Sequence, residues 1–227
     1  CLNPGDEVIL PEPAYANYMA FAVQVGAKIR TIPTSIEDGF ALPKVEKFEE
    51  MINERTKAIM ICNPNNPTGY VYTQEEMNQI RDLVKKYDLF LFSDEVYREY
   101  IYTNSPFVSA MNLKGIQENV ILIDSVSKRY SECGIRIGAL ITKNETVKKT
   151  VMKFCQARLS PPLIGQIVAE ASLEAPKEYF RGIFDEYLER RNCLTEGLNK
   201  INGVYTPIPK GAFYTVAKLP VDNAEQF

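Results

Sequence analysis

Lys128 stands in the run Ser125-Val126-Ser127-Lys128-Arg129-Tyr130-Ser131-Glu132-Cys133-Gly134-Ile135-Arg136-Ile137-Gly138, just after an apolar stretch that reads as a buried strand. An amine held there can condense with an aldehyde. The Ser125 and Ser127 hydroxyls and the Arg136 guanidinium can hold a phosphate, and Gly134 and Gly138 allow close backbone approach. Upstream, Ser93-Asp94-Glu95-Val96-Tyr97 follows a second apolar run. A carboxylate at the end of a buried strand is costly unless paired. A protonated pyridine nitrogen would pair with Asp94 through a charge-assisted hydrogen bond, and Tyr97 could reach a hydroxyl oxygen on the same ring. A third apolar run leads into Asn63-Pro64-Asn65-Asn66-Pro67-Thr68-Gly69. Its prolines and glycine stiffen the loop, so that the Asn66 amide can donate to a carboxylate or phenolate oxygen. An aldehyde, a phosphate and a pyridine ring in one molecule describe pyridoxal 5'-phosphate (PLP).

Two further signals are weaker. Tyr15, in Pro11-Glu12-Pro13-Ala14-Tyr15, lies just after a strand and could stack on a flat ring. Lys210-Gly211-Ala212-Phe213-Tyr214 reads equally as a turn and the start of a strand. Each motif alone has a plain structural reading: an Asn/Pro turn, an N-capping Asp94, a solvated Lys128, a surface ion pair for Arg136, a core or surface Tyr15. The three main motifs occurring together and in this order favour the cofactor.

The rest of the composition narrows the chemistry. The 227 residues contain no histidine, which excludes imidazole-based nucleophilic catalysis and histidine metal sites. Proton transfer near neutral pH must use another group, and a lysine is the leading candidate. A net charge of -3 and the absence of a basic run give no footprint for nucleic acid or an anionic membrane. Apolar runs such as Val120-Ile121-Leu122-Ile123 are too short to span a bilayer. Five scattered cysteines with no C-x-x-C pair suggest buried apolar thiols in a reducing, cytoplasmic compartment. The abrupt opening at Cys1 and the ending at Asn223–Phe227 suggest an internal segment of a longer protein.

The elements that must position these groups alternate. Strands are expected at Val8–Leu10, Lys28–Ile32, Ala58–Cys62, Leu89–Phe92, Val120–Ile123 and Ile137–Ile141. Helices are expected from Pro13 to about Val25, with Gly26 as the stop, and over Leu42–Ile52. Another starts at Thr73 with a Thr73/Glu76 capping box, and its inner stripe is Met77, Ile80, Leu83 and Val84. Continuous apolar strands between amphipathic helices argue for a three-layer α/β fold, a mostly parallel sheet covered on both faces. A long helix is expected from Pro176 to about Ile201. Strands at Val204–Tyr205 and Phe213–Ala217 would then open a smaller α+β unit, giving a large domain over 1–190 and the beginning of a small one over 191–227.

With these motifs in order, the whole chain resembles the PLP-dependent aminotransferases of fold type I, class I/II, the aspartate aminotransferase-like group. The resemblance implies that Lys128 is the Schiff-base lysine and Asp94 the partner of the pyridine nitrogen. It implies that Tyr97 and Asn66 contact the ring hydroxyl oxygen, with Asn66 also serving the substrate carboxylate. Ser125, Ser127 and Arg136 would be phosphate ligands, Tyr15 the stacking aromatic, and Gly211 a lining residue of the substrate pocket. One departure stands out: the family usually has an apolar residue four places after the lysine, and here it is Glu132. The family's N-terminal glycine-rich loop and C-terminal carboxylate-binding arginine are not found in this segment, which alone would bind PLP weakly and turn over little. Transamination between an amino acid, aspartate the first choice, and a 2-oxo acid is the implied reaction, with a homodimer the usual assembly. A carbon–sulfur lyase, the PLP-sensing domain of a transcription regulator, and a non-catalytic truncated product are the competing readings.

Overall fold

A computed structural model of the chain describes residues 1–104 and 106–226; Phe227, the last residue of the expected small-domain segment, lies outside them. The sheet has six strands in the order β2-β1-β3-β4-β5-β6. These are β1 (Glu7–Glu12), β2 (Lys28–Pro33), β3 (Thr56–Cys62), β4 (Phe90–Asp94), β5 (Val120–Ser125) and β6 (Gly138–Ile141). The first five run parallel, and β6 pairs antiparallel with β5. The helices are α1 (Asn17–Gln24), α2 (Val45–Met51), α3 (Gln74–Tyr87), α4 (Val126–Arg129), α5 (Glu145–Arg158), α6 (Leu163–Ala171) and α7 (Lys177–Asn199).

Two helices start later than the sequence pattern suggests. Helix α1 begins at Asn17, because β1 runs on through Glu12 and pairs Pro11 with Ile32 before the chain turns. Helix α2 begins at Val45 rather than Leu42, since the residue before Pro43 is pushed out of the helical region. The α3 start agrees with its motif: the Thr73 hydroxyl accepts from the Glu76 backbone N–H at 3.2 Å, and Glu76 Oε2 accepts from the Thr73 N–H at 2.7 Å.

Met77, Ile80, Leu83 and Val84 of α3 pack with Phe48 of α2 onto Ile59, Ile61 and Leu91 of the sheet, forming the main core. A smaller cluster joins Leu10, Tyr18, Cys62, Tyr97 and Ala212 under the sheet's functional edge.

Three expectations fail. All four residues of β6 are exposed, unlike the buried central strands β1, β3 and β4, and α5 and α6 carry exposed Met152, Phe154, Leu163, Ile164 and Ile167. Val204–Tyr205 and Phe213–Ala217 are not strands; the described residues there make only the isolated bridges Tyr205–Lys218 and Ile101–Gly211. Of the cysteines, Cys62 alone is buried and Cys1, Cys133, Cys155 and Cys193 are exposed, because they fall in loops or on outward helix faces. No helix of the described residues is long and apolar enough to cross a membrane.

Candidate active site

Strand register builds the site. Cys62 of β3 pairs with Asp94 of β4, and Asp94 pairs with Ile123 of β5, so the segments after all three strands leave the sheet along one edge. Ligands of open α/β sheets bind at this carboxyl edge. The edge encloses a cavity of about 260 Å³ lined by Tyr15, Tyr18, Asn66, Asp94, Val96, Tyr97, Ser125, Ser127, Lys128, Cys133, Arg136 and Tyr214. Eight of the nine candidate residues therefore meet in one space.

The exception is Gly211, which stands outside the cavity wall. A Cβ there would come within 2.7 Å of Val71 Cγ2, 2.8 Å of Pro64 Cβ and 2.8 Å of the Tyr100 carbonyl oxygen. Its backbone N–H donates to the Gly69 carbonyl at 2.9 Å. Here glycine allows residues 209–212 to lie directly against the Asn63–Gly69 loop.

Asp94 is largely desolvated, and burial raises its carboxyl above the usual range. The Tyr18 hydroxyl donates to Asp94 Oδ2 at 2.7 Å and opposes that rise, while Oδ1 receives a weak 3.3 Å donation from the Val96 N–H. Burial drives the Tyr18 hydroxyl strongly upward, so it remains a proton donor. Across the cavity the Tyr97 hydroxyl lies 3.0 Å from the Tyr214 hydroxyl and accepts from Asn66 Nδ2 at 3.4 Å. Desolvation pushes Tyr97 well above a free phenol, which keeps it protonated.

Lys128 lies on the short helix α4. Its Nζ is 5.9 Å from the centres of both the Tyr97 and Phe213 rings. The Tyr100 hydroxyl donates to the Lys128 carbonyl at 2.8 Å and anchors the turn. Asp124, directly before Ser125, receives Arg98 at 2.8 Å and Arg129 at 3.1 Å, which ties both ends of α4 to the segment after β4. Ser125 Oγ donates to Ser127 Oγ at 2.8 Å or to the Ile137 carbonyl at 2.9 Å. Arg136 takes a left-handed backbone with φ of 58° and donates from Nη1 to the Cys133 carbonyl, its other donors making no hydrogen bond among the described residues.

Tyr18, Val96, Cys133 and Tyr214 also line the cavity and were not expected from the sequence. Tyr18, in the first turn of α1, meets the ring of Tyr15 just before that helix edge to face at 5.4 Å.

The fold is a mostly parallel six-stranded α/β sheet with flanking helices, and its carboxyl edge gathers a lysine, an acid, two serines and an arginine. The family model for aminotransferase class I and II matches residues 1–227, and the chain belongs to that family. It is 33% identical over 226 residues to an aspartate aminotransferase of Thermotoga maritima, covering 99% of this chain and 58% of that protein. It is 33% identical over 224 residues to aromatic-amino-acid aminotransferase 2 of Thermococcus litoralis, covering 96% and 56%. Among solved structures, the alanine aminotransferase of Pyrococcus furiosus superposes with a TM-score of 0.90 at 31% identity, over 98% of this chain and 57% of that one. The chain thus spans just over half the length of the relatives it matches.

The family's cofactor is PLP, and the donor set fits it. Asp94 Oδ1 receives only one long backbone donation and would have room for a cationic ring nitrogen, Lys128 would offer the amine, and Ser125, Ser127 and Arg136 would offer donors for a dianion.

Proposed function

We propose that the protein carrying this chain is a PLP-dependent aminotransferase that exchanges an amino group between an amino acid and a 2-oxo acid. The reading rests on one observation: Lys128, Asp94 and the Ser125/Ser127/Arg136 group line a single cavity. The names of the relatives favour transamination over a lyase or a sensor, and aspartate is the first donor to test.

When bound, PLP supplies an aldehyde carbon and an electron-withdrawing pyridine ring. Asp94 would pair with the ring nitrogen and favour its protonated form. Ser125, Ser127 and Arg136 would hold the phosphate, and Tyr15 would lie against the ring. Tyr97 and Asn66 would donate to the ring hydroxyl oxygen, and Asn66 would also orient the substrate carboxylate. The Lys128 Nζ amine would take the proton from the substrate α-carbon and return it at the neighbouring carbon that accepts it. The two half-reactions predict ping-pong kinetics.

Replacing Lys128 with Ala in the intact protein is expected to abolish turnover and the visible absorbance of lysine-bound PLP. Near-normal transamination by that variant would overturn the lysine assignment, and a panel of 2-oxo acids then defines the substrates.

The same reading takes residues 191–227 as the start of a smaller domain and the assembly as a homodimer. The exposed apolar faces of α5 and α6 support the homodimer. Free thiols at all five cysteines support a cytoplasmic location.

A further inference from the structure

Glu132 occupies a position where the family usually carries an apolar side chain, and the structure gives it a partner. The Ser172 hydroxyl, in the turn that follows α6, donates to Glu132 Oε1. That hydroxyl has one proton and two acceptors in reach, since the Val168 carbonyl lies 2.8 Å away. The carboxylate is the stronger acceptor. Glu132 Oε2 is buried and has no partner among the described residues, so Ser172 is the side chain's one tie.

The segment this tie restrains is under backbone strain. Ser131 and Arg136 both have φ of 58°, a left-handed conformation that non-glycine residues adopt only at a cost. Such residues persist where their surroundings over-determine them. Helix α6 presses on the segment at two places. Buried Gly165 lies so close that a Cβ there would be 3.1 Å from the Ile135 carbonyl oxygen, and Ser172 holds Glu132 two helical turns further on. Between the two strained residues lie Cys133 and Gly134, and Cys133 and Arg136 line the cavity.

We propose that the Glu132–Ser172 hydrogen bond latches residues 131–136 onto α6 and so holds Arg136 at the phosphate end of the cavity. Glu132 is then a positioning residue for the cofactor phosphate. This rests on the PLP reading given above.

The latch acts on the phosphate end alone, so it should separate PLP from pyridoxal, which has the same ring and aldehyde but no phosphate. The test is equilibrium dialysis of both against the intact protein and its Glu132→Leu, Ser172→Ala and Glu132→Gln variants. Glu132→Leu and Ser172→Ala are expected to lose about tenfold in PLP affinity, ~1.4 kcal/mol, with pyridoxal changed less than about twofold. Glu132→Gln keeps an oxygen for the Ser172 hydroxyl and should keep the ratio of the two affinities near that of the unsubstituted protein. An unchanged ratio in the first two variants, or equal losses for PLP and pyridoxal, refutes the latch while leaving the PLP site standing. If the unsubstituted protein binds neither compound, the PLP reading fails and takes the latch with it.

Discussion

The pairing of Tyr18 with Asp94 makes a specific claim about one carboxyl group. Burial already holds Asp94 above the ordinary carboxylate range, and the Tyr18 hydroxyl is the strongest influence pulling it back. Removing that donor with Tyr18→Phe should raise the Asp94 midpoint further, read by infrared titration of the cofactor-free protein with Asp94→Asn as the blank. The sign for stability follows. A carboxyl raised on folding contributes stability that is fully present below its unfolded value of about 3.9 and is lost as pH rises through the folded value. The variant should therefore carry that loss to a higher pH. Lys128, Asp94, Asn66 and Tyr97 could be found in the sequence because each ends or follows a strand, where an apolar run gives way abruptly to polar residues. Tyr18 and Tyr214 could not, since among 13 tyrosines nothing local separates a cavity hydroxyl from a core ring. Gly211 was noticed for its motif, but its contacts belong to the packing of a neighbouring loop.

Individual elements carry their own tests. Gly211→Ala drives a methyl group into Val71, Pro64 and the Tyr100 carbonyl at once, and overpacking of this kind costs about 1–3 kcal/mol in urea unfolding. Thr73→Ala removes one half of the α3 capping box and should cost ~1 kcal/mol. Glu95 is wholly buried after β4; Oε1 accepts from the Ala110 N–H at 2.8 Å and from Ser93 Oγ at 3.1 Å, while Oε2 has no partner among the described residues. Burial raises its carboxyl, opposed first by the Ala110 N–H donation and then by the hydroxyls of Ser109 and Ser93 and by Arg98. Its contribution is present below the unfolded value of about 4.3 and declines as pH rises through the folded one. Glu95→Gln should flatten that decline in unfolding curves taken across the acid range. The sequence pattern located β1 and β3 to β5 by their continuous apolar runs and α3 by its single buried stripe. It gave no assignment over α5 and α6, where apolar residues point outward and mark no inner stripe.

At the scale of the whole molecule, the uncovered face of α5 and α6 dominates. Ile164 is 77% exposed and Leu163 70%, beside Ile167 at 56%. Soluble proteins seldom leave such a patch open without a partner for it. If the proposed homodimer uses this face, Ile164→Lys should shift the intact protein toward monomer in sedimentation at micromolar concentration, with the monomer's fold unchanged by circular dichroism. A variant that stays dimeric would move the interface elsewhere.

The pairing of Asp94 with Ile123 across β4 and β5 has a thermal corollary. The position of the acid is set by backbone rungs, and the turn that carries Lys128 leaves the last of those strands directly, so Asp94 cannot drift without breaking the central ladder. A one-residue slip would turn Asp94 to the opposite face of the sheet. Gradual loosening of the site on warming is thus disfavoured: in the intact protein, loss of any PLP bound at the proposed site and collapse of the ordered backbone should follow one melting curve.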